Sequence, residues 1–167
     1  MTVNTQDLQK EVWKSLDNVM DPEMEPVSIV ELGMVEDVEV EGKNVNVTLL
    51  PTFSGCPALD MIKENVIDEV EQAIQKLDES LKVQVKFRYD PSWTTDRINE
   101  SGREKLKTIG IAVPDPDQKR GDSWEVRCPY CDSVTVTMEN IFGPTACRSI
   151  LYCKSCRNPF EAMKPIA

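Results

Sequence analysis

Apolar residues at Leu8, Val12, Trp13, Leu16, Val19 and Met20 recur at helical spacing and predict a first helix. Asn4 or Thr5 suits its cap, Asp7 suits its first turn, and Asp21-Pro22-Glu23 ends it, because Pro22 disfavours helix at the residue before it. The period then changes to two. Val35 to Val40 and Val45 to Leu50 alternate, with Asn44, Asn46 and Thr48 on the second run's other face and a turn over Glu41-Gly42-Lys43-Asn44. This predicts a hairpin with one wet face. Helical spacing returns at Leu59, Ile62, Val66, Val70, Ile74 and Leu77, with Pro57 suiting the first helical position. Val83, Val85, Phe87 and Tyr89 predict a third strand, and Asp96 to Ile109 a third helix with Gly110 as its C-terminal cap.

Beyond this point the apolar periods stop. Val113 to Gly121 is rich in proline and charge and reads as a linker. The expected division is an α+β domain over 1–112, a linker over 113–123 and a small ribbon over 124–167. The fold class is therefore α+β, a small mixed sheet with packed helices, followed by a small four-cysteine zinc-ribbon domain.

Chemistry in the tail comes from Cys128-Pro129-Tyr130-Cys131 and Cys153-Lys154-Ser155-Cys156, two C-x-x-C knuckles with 21 residues between them. Each knuckle lets two thiolates face one ion, and two knuckles close a tetrahedral four-sulfur site. Val134, Val136 and Met138 alternate after the first pair, and Ile150 and Tyr152 precede the second, giving the hairpin such a site needs. A tail this short rarely folds on its own core, whereas a structural zinc contributes about 10–16 kcal/mol at neutral pH. One structural Zn2+ per chain is expected; the same four sulfurs also suit iron or an iron–sulfur cluster. Cys147, six residues before Cys153, has no knuckle partner and reads as a buried apolar cysteine or an accessory thiol.

Composition narrows the function. The chain of 167 residues has no histidine, which excludes Ser-His-Asp and Cys-His catalysis and histidine-ligated zinc or iron within it. A net charge of −10 argues against nucleic acid and anionic lipid as partners. No run approaches the ~18 apolar residues of a membrane span, and Met1 to Lys10 lacks the features of a signal peptide. A cytoplasmic protein is expected, in which six cysteines favour metal or thiol chemistry over disulfides. A homo-oligomer is compatible with the sequence.

Cys56 stands before the second helix, in Thr52-Phe53-Ser54-Gly55-Cys56-Pro57, where helix-end amides favour a thiolate. A half-buried cysteine at a helix start is the equally consistent structural reading. Asp21 and Glu23 offer oxygen ligands, and they equally form a helix stop. Trp93, in Pro91-Ser92-Trp93, reads as a packing residue.

Asp21-Pro22-Glu23, Ser28-Ile29-Val30-Glu31-Leu32-Gly33-Met34-Val35 and Thr52-x-x-Gly55-Cys56-Pro57 together resemble the MIP18-type iron–sulfur assembly domain. Pro91 to Asp96, Gly102 to Leu106, Gly110-Ile111-Ala112, Thr145-Ala146-Cys147 and the paired knuckles narrow the resemblance. They match the D subunits (also called J subunits) of phenylacetyl-CoA epoxidase systems, which act in aerobic phenylacetate degradation. One departure is Glu25, with Pro26 after it, where such domains often place proline. The resemblance implies an accessory protein and not an enzyme, with no catalytic residue of its own. It implies help in maturing the iron–sulfur cluster or metal of the reductase or oxygenase component, which would be its partners. It also implies that Cys56 is the leading residue for transient iron or cluster handling, with Asp21 and Glu23 behind it. The alternative is a structural, non-catalytic subunit of the oxygenase complex.

Overall fold

Asn4 starts the first helix: its side-chain oxygen accepts the Gln6 amide at 3.2 Å, which satisfies one of the donors a helix start leaves open. Helix α1 (Thr5–Leu16) buries Leu8, Val12 and Leu16 on one face. The apolar period runs on to Met20, yet the helix stops at Leu16. Val19 and Met20 belong instead to a tight loop, in which Met20 bridges Ser28 and the Ile29 amide donates to the Val19 carbonyl at 2.9 Å. Val19 is buried there, as are Met24, Val27 and Ile29, while Met20 is half-buried. The computed structural model describes residues 4–116 and 125–165.

Strands β1 (Val35–Glu41) and β2 (Asn44–Leu49) form the expected antiparallel hairpin, with Gly42 at φ +60° in the turn. Helix α2 (Leu59–Gln75) carries the chain to β3 (Lys82–Phe87), which lies parallel to β2, the pairing that a helical crossover permits. Strand order is β1-β2-β3. Val45, Val47 and Leu49 are fully buried and stand in register with Val83, Val85 and Phe87. On the other face the cross-strand rows are polar: Glu41, Asn44 and Lys82; Glu39, Asn46 and Gln84; Asp37, Thr48 and Lys86. The face read as wet from the sequence is polar, but it is wet only in part: Asn44 is exposed and Asn46 half-buried, whereas Thr48 is buried. Helix α2 is capped at Ala58 with no side-chain bond, so Pro57 lies outside the helix and Cys56 two residues before the cap.

In the second unit Asn99 accepts the Gly102 amide at 2.8 Å and starts α3 (Glu100–Thr108), after a 3-10 turn over Thr95–Arg97. Gly110, at φ +82°, ends the helix and turns the chain into β4 (Ile111–Ala112). Strands β5 (Val136–Asn140), β6 (Arg148–Cys153) and β7 (Pro159–Met163) complete a four-stranded mixed sheet of order β4-β7-β6-β5. Its core is Ala112, Val126, Cys128, Leu151, Cys153, Phe160 and Ala162. Fold class is α+β with two small mixed sheets.

The compact units divide elsewhere than the sequence reading placed the domains. One comprises Met1–Pro51 and Pro57–Ser92; the other comprises Thr52–Cys56 and Trp93–Ala167. The physical reason lies in β4, which pairs in parallel with β7 through Ile111↔Glu161 and Ala112↔Ala162 and so joins the ribbon sheet. Of the expected linker over 113–123, residues 117–123 lie outside the described residues.

Candidate metal centre

The two knuckles are built to one pattern. The Cys128 amide donates to the Ser133 carbonyl at 2.9 Å and the Cys153 amide to the Asn158 carbonyl at 3.0 Å. The Asp132 amide returns to the Cys128 carbonyl and the Arg157 amide to the Cys153 carbonyl, each at 2.9 Å. Asp132 and Arg157 both sit at φ 61°, a left-handed conformation that lets each loop curl back over its sulfurs. Amides of the residues two and three beyond the first cysteine face its sulfur: Tyr130 and Cys131 for Cys128, Ser155 and Cys156 for Cys153. Amides two beyond the second cysteine, Ser133 and Asn158, face Cys131 and Cys156. The Ser133 and Ser155 hydroxyls meet at 2.7 Å.

All four sulfurs lie within 4.8 Å of one another. Cys128 to Cys156 is 3.7 Å and Cys131 to Cys153 is 3.6 Å, both across the knuckles. A tetrahedron with metal–sulfur bonds of about 2.3 Å has an edge of about 3.8 Å, so the donor set fits a zinc-sized ion. Charge leads to the same fit. Burial pushes the Cys128 thiol up to about 12, while the Cys156 amide leads a set of hydrogen bonds that bring Cys153 down to about 6. Cys156 is lowered, chiefly by the Asn158 side chain. The Ser133 amide lowers Cys131, yet burial and the neighbouring thiols leave it raised. Four thiolates this close repel one another, and a dication is what lets all four exist at once. The group could hold one metal ion with no position left over for a substrate, which is structural and not catalytic coordination.

The other residues singled out from the sequence are not members of this cluster. Cys147 is buried, with its sulfur 3.2 Å from the Thr145 hydroxyl, and is not one of the four clustered sulfurs. Asp21 and Glu23 lie in the first unit and Cys56 in the second. Asp21 is buried, and its carboxylate accepts the Glu23 amide at 2.8 Å, closing the Asp-Pro-Glu turn. Cys56 is half-buried in a turn where its amide donates to the Phe53 carbonyl at 3.2 Å. None of the six cysteines forms a disulfide. The sequence reading missed the second halves of the knuckles, Asp132, Ser133, Arg157 and Asn158. The signal was a polar pair beginning right after each second cysteine, Asp132-Ser133 and Arg157-Asn158.

An N-terminal α/β layer and a four-cysteine ribbon define the class, and known proteins bear it out. A family model described as "Iron-sulfur cluster assembly protein" matches residues 9–87, and one described as "PaaD zinc beta ribbon domain" matches residues 112–164. A crystal structure of a domain of unknown function from Bacillus anthracis is similar, with a TM-score of 0.51 and 25% identity, over 61% of this chain and 93% of that one. An iron–sulfur protein maturation auxiliary factor of Porphyromonas gingivalis (strain ATCC BAA-308 / W83) is 30% identical over 59% of this chain and 90% of its own. A protein of Escherichia coli (strain K12), provisionally named as the D subunit of 1,2-phenylacetyl-CoA epoxidase, is 38% identical over 93% of this chain and 92% of its own. The chain belongs to the family of phenylacetyl-CoA epoxidase D subunits.

Proposed function

We propose that this chain is a non-catalytic accessory protein of a phenylacetyl-CoA epoxidase system, assisting the iron–sulfur or metal maturation of its reductase or oxygenase component. The observation that carries the reading is the pairing, in one chain, of an assembly-type domain with a closed four-sulfur centre. A centre with all four positions taken by protein sulfur holds the ribbon together and leaves the chemistry to another component. In this reading Cys128, Cys131, Cys153 and Cys156 hold one structural Zn2+, while Cys56, with Asp21 and Glu23, handles iron or a cluster as cargo. The family model described as "Iron-sulfur cluster assembly protein" spans residues 9–87 and so takes in all three residues, which supports the assignment.

The test is the iron and acid-labile sulfide content of the reductase component, produced with and without this chain. Full occupancy only in its presence is expected; equal, full occupancy in both samples overturns the reading. A second reading, a structural subunit of the oxygenase complex, draws on the Asp21 carboxylate, which is engaged in closing its own turn. Fixed-stoichiometry co-purification with full epoxidase activity in Cys56→Ala would favour it.

A further inference from the structure

Two hydroxyls join the knuckles without any sulfur. Ser133 Oγ and Ser155 Oγ stand 2.7 Å apart. The first lies just after the Cys128–Cys131 knuckle and the second inside the Cys153–Cys156 knuckle. A hydroxyl donates once and accepts twice, so either serine can be the donor. The Ser133 oxygen also accepts the Thr135 amide at 3.1 Å, and the Thr135 carbonyl accepts the amide of Lys154, the neighbour of Ser155, at 3.0 Å. Backbone bonds thus hold Ser133 opposite Ser155.

Each serine also faces a sulfur. The Ser133 amide faces Cys131 and the Ser155 amide faces Cys153, and each of these bonds favours the thiolate. Those two sulfurs are a pair 3.6 Å apart across the knuckles. Sulfur, serine, serine and sulfur therefore close one circuit from Cys131 to Cys153. Part of it reaches solvent: Cys131 and Ser155 are exposed and Ser133 half-buried, whereas Cys128 and Cys153 are fully buried.

From this circuit we infer that Ser133 and Ser155 are positioning residues for the metal, a clasp that ties the knuckles together and steadies Cys131, the exposed corner of the centre. Neither is a ligand, since four sulfurs fill the coordination positions. Their bond keeps Cys131 and Cys153 at the separation one ion needs, and it resists the opening through which a competing ligand would reach a sulfur. Groups that orient ligands in this way change metal affinity by about 10–100-fold when removed. Only the four-sulfur centre is required for this role, so the outcome of its test is independent of the accessory-protein reading.

The test is the rate at which the zinc-loaded full chain gives up its ion to an excess of a chromophoric chelator. The visible spectrum of the cobalt-loaded chain checks the donor set. Ser155→Ala is expected to release zinc about 10-fold faster than the wild type. Ser133→Ala should be at least as fast, because it also removes the acceptor of the Thr135 amide. The double variant should be no faster than Ser133→Ala, since two residues acting through one bond are not additive. Ser155→Thr keeps a hydroxyl and should restore the wild-type rate. Every variant should keep the sulfur-to-cobalt charge-transfer band of four-sulfur coordination. An unchanged rate in Ser155→Ala overturns the inference. So does a double variant whose effect is the product of the two single effects, which would make the serines independent. Release from Ser155→Thr as fast as from Ser155→Ala overturns it too, because the hydroxyl would then not matter. Should Ser133→Ala fail to load metal, the two substitutions at Ser155, the exposed end of the bond, decide alone.

Discussion

Arg103 is the residue that most clearly does structural work no motif announces. Its guanidinium donates to the carbonyls of Ile98 at 3.1 Å, Thr95 at 2.8 Å and Pro114 at 2.8 Å, tying the 3-10 turn, α3 and the segment after β4 together. Burial lowers its affinity for a proton, with Asp96 and Asp115 acting the other way, yet an arginine stays charged throughout the accessible range. Arg103→Met should cost roughly 2–4 kcal/mol, because three charge-assisted bonds go and carbonyls lose their donor. A fall in the urea midpoint of the metal-loaded protein would show it. Arg103→Lys should recover little, since an ammonium cannot span three divergent carbonyls. At the sulfurs, the prediction concerns protons. Cys128 is held protonated up to about 12 in the empty site, so binding an ion at pH 7 must release its proton. Metal affinity should therefore fall as pH falls, and titration calorimetry in buffers of different ionisation enthalpy should register at least one proton released per ion.

Helices and strands with a long apolar period were legible before the structure. The hairpin β1–β2, the core of α2 and β3 stand where the alternation of valines and the spacing from Leu59 to Ile74 place them. Two short strands were not. β4 has two residues, too few for any period, and β7 opens on Pro159, which reads as the end of structure and here begins an inner strand. Their partners are distant in sequence, so only the pairing reveals them. The end of α1 was misread for a related reason: Val19 and Met20 keep the helical period while serving a loop. In the metal centre the cysteines were legible and the amides that face them were not, because an amide's direction depends on φ at Asp132 and Arg157. The hand-off from α3 to β4 offers a test at this scale. Gly110→Ala would place a Cβ against the Tyr130 hydroxyl at φ +82°. It should cost about 1–2 kcal/mol for the backbone alone, read as a lower thermal midpoint.

At the scale of the molecule, the four clustered cysteines and the ribbon sheet belong to one unit while β1, β2 and β3 belong to the other. Stripping the metal should therefore act unevenly. Under a strong chelator, amide exchange is expected to accelerate in β5, β6 and β7, and in β4 through its pairing with β7. Protection should persist in β1 to β3, whose core of Val45, Val47 and Leu49 owes nothing to sulfur. Uniform loss of protection across both sheets would show that the two units unfold together. No helix among the described residues is long and apolar enough to cross a membrane.

The knuckles also carry a consequence for how the centre ages in air. In each, the first cysteine is fully buried while the second reaches the surface, Cys131 openly and Cys156 in part. Peroxide or oxygen would therefore meet Cys131 first. The near sulfurs pair across the knuckles, Cys128 with Cys156 and Cys131 with Cys153. An ion-free ribbon should accordingly oxidise into two crossed disulfides that imitate the lost cross-link, and not into two bonds within the C-x-x-C loops. Peptide mapping after metal removal in air would tell them apart, and a preparation stored that way would look folded while having lost the capacity to rebind its ion.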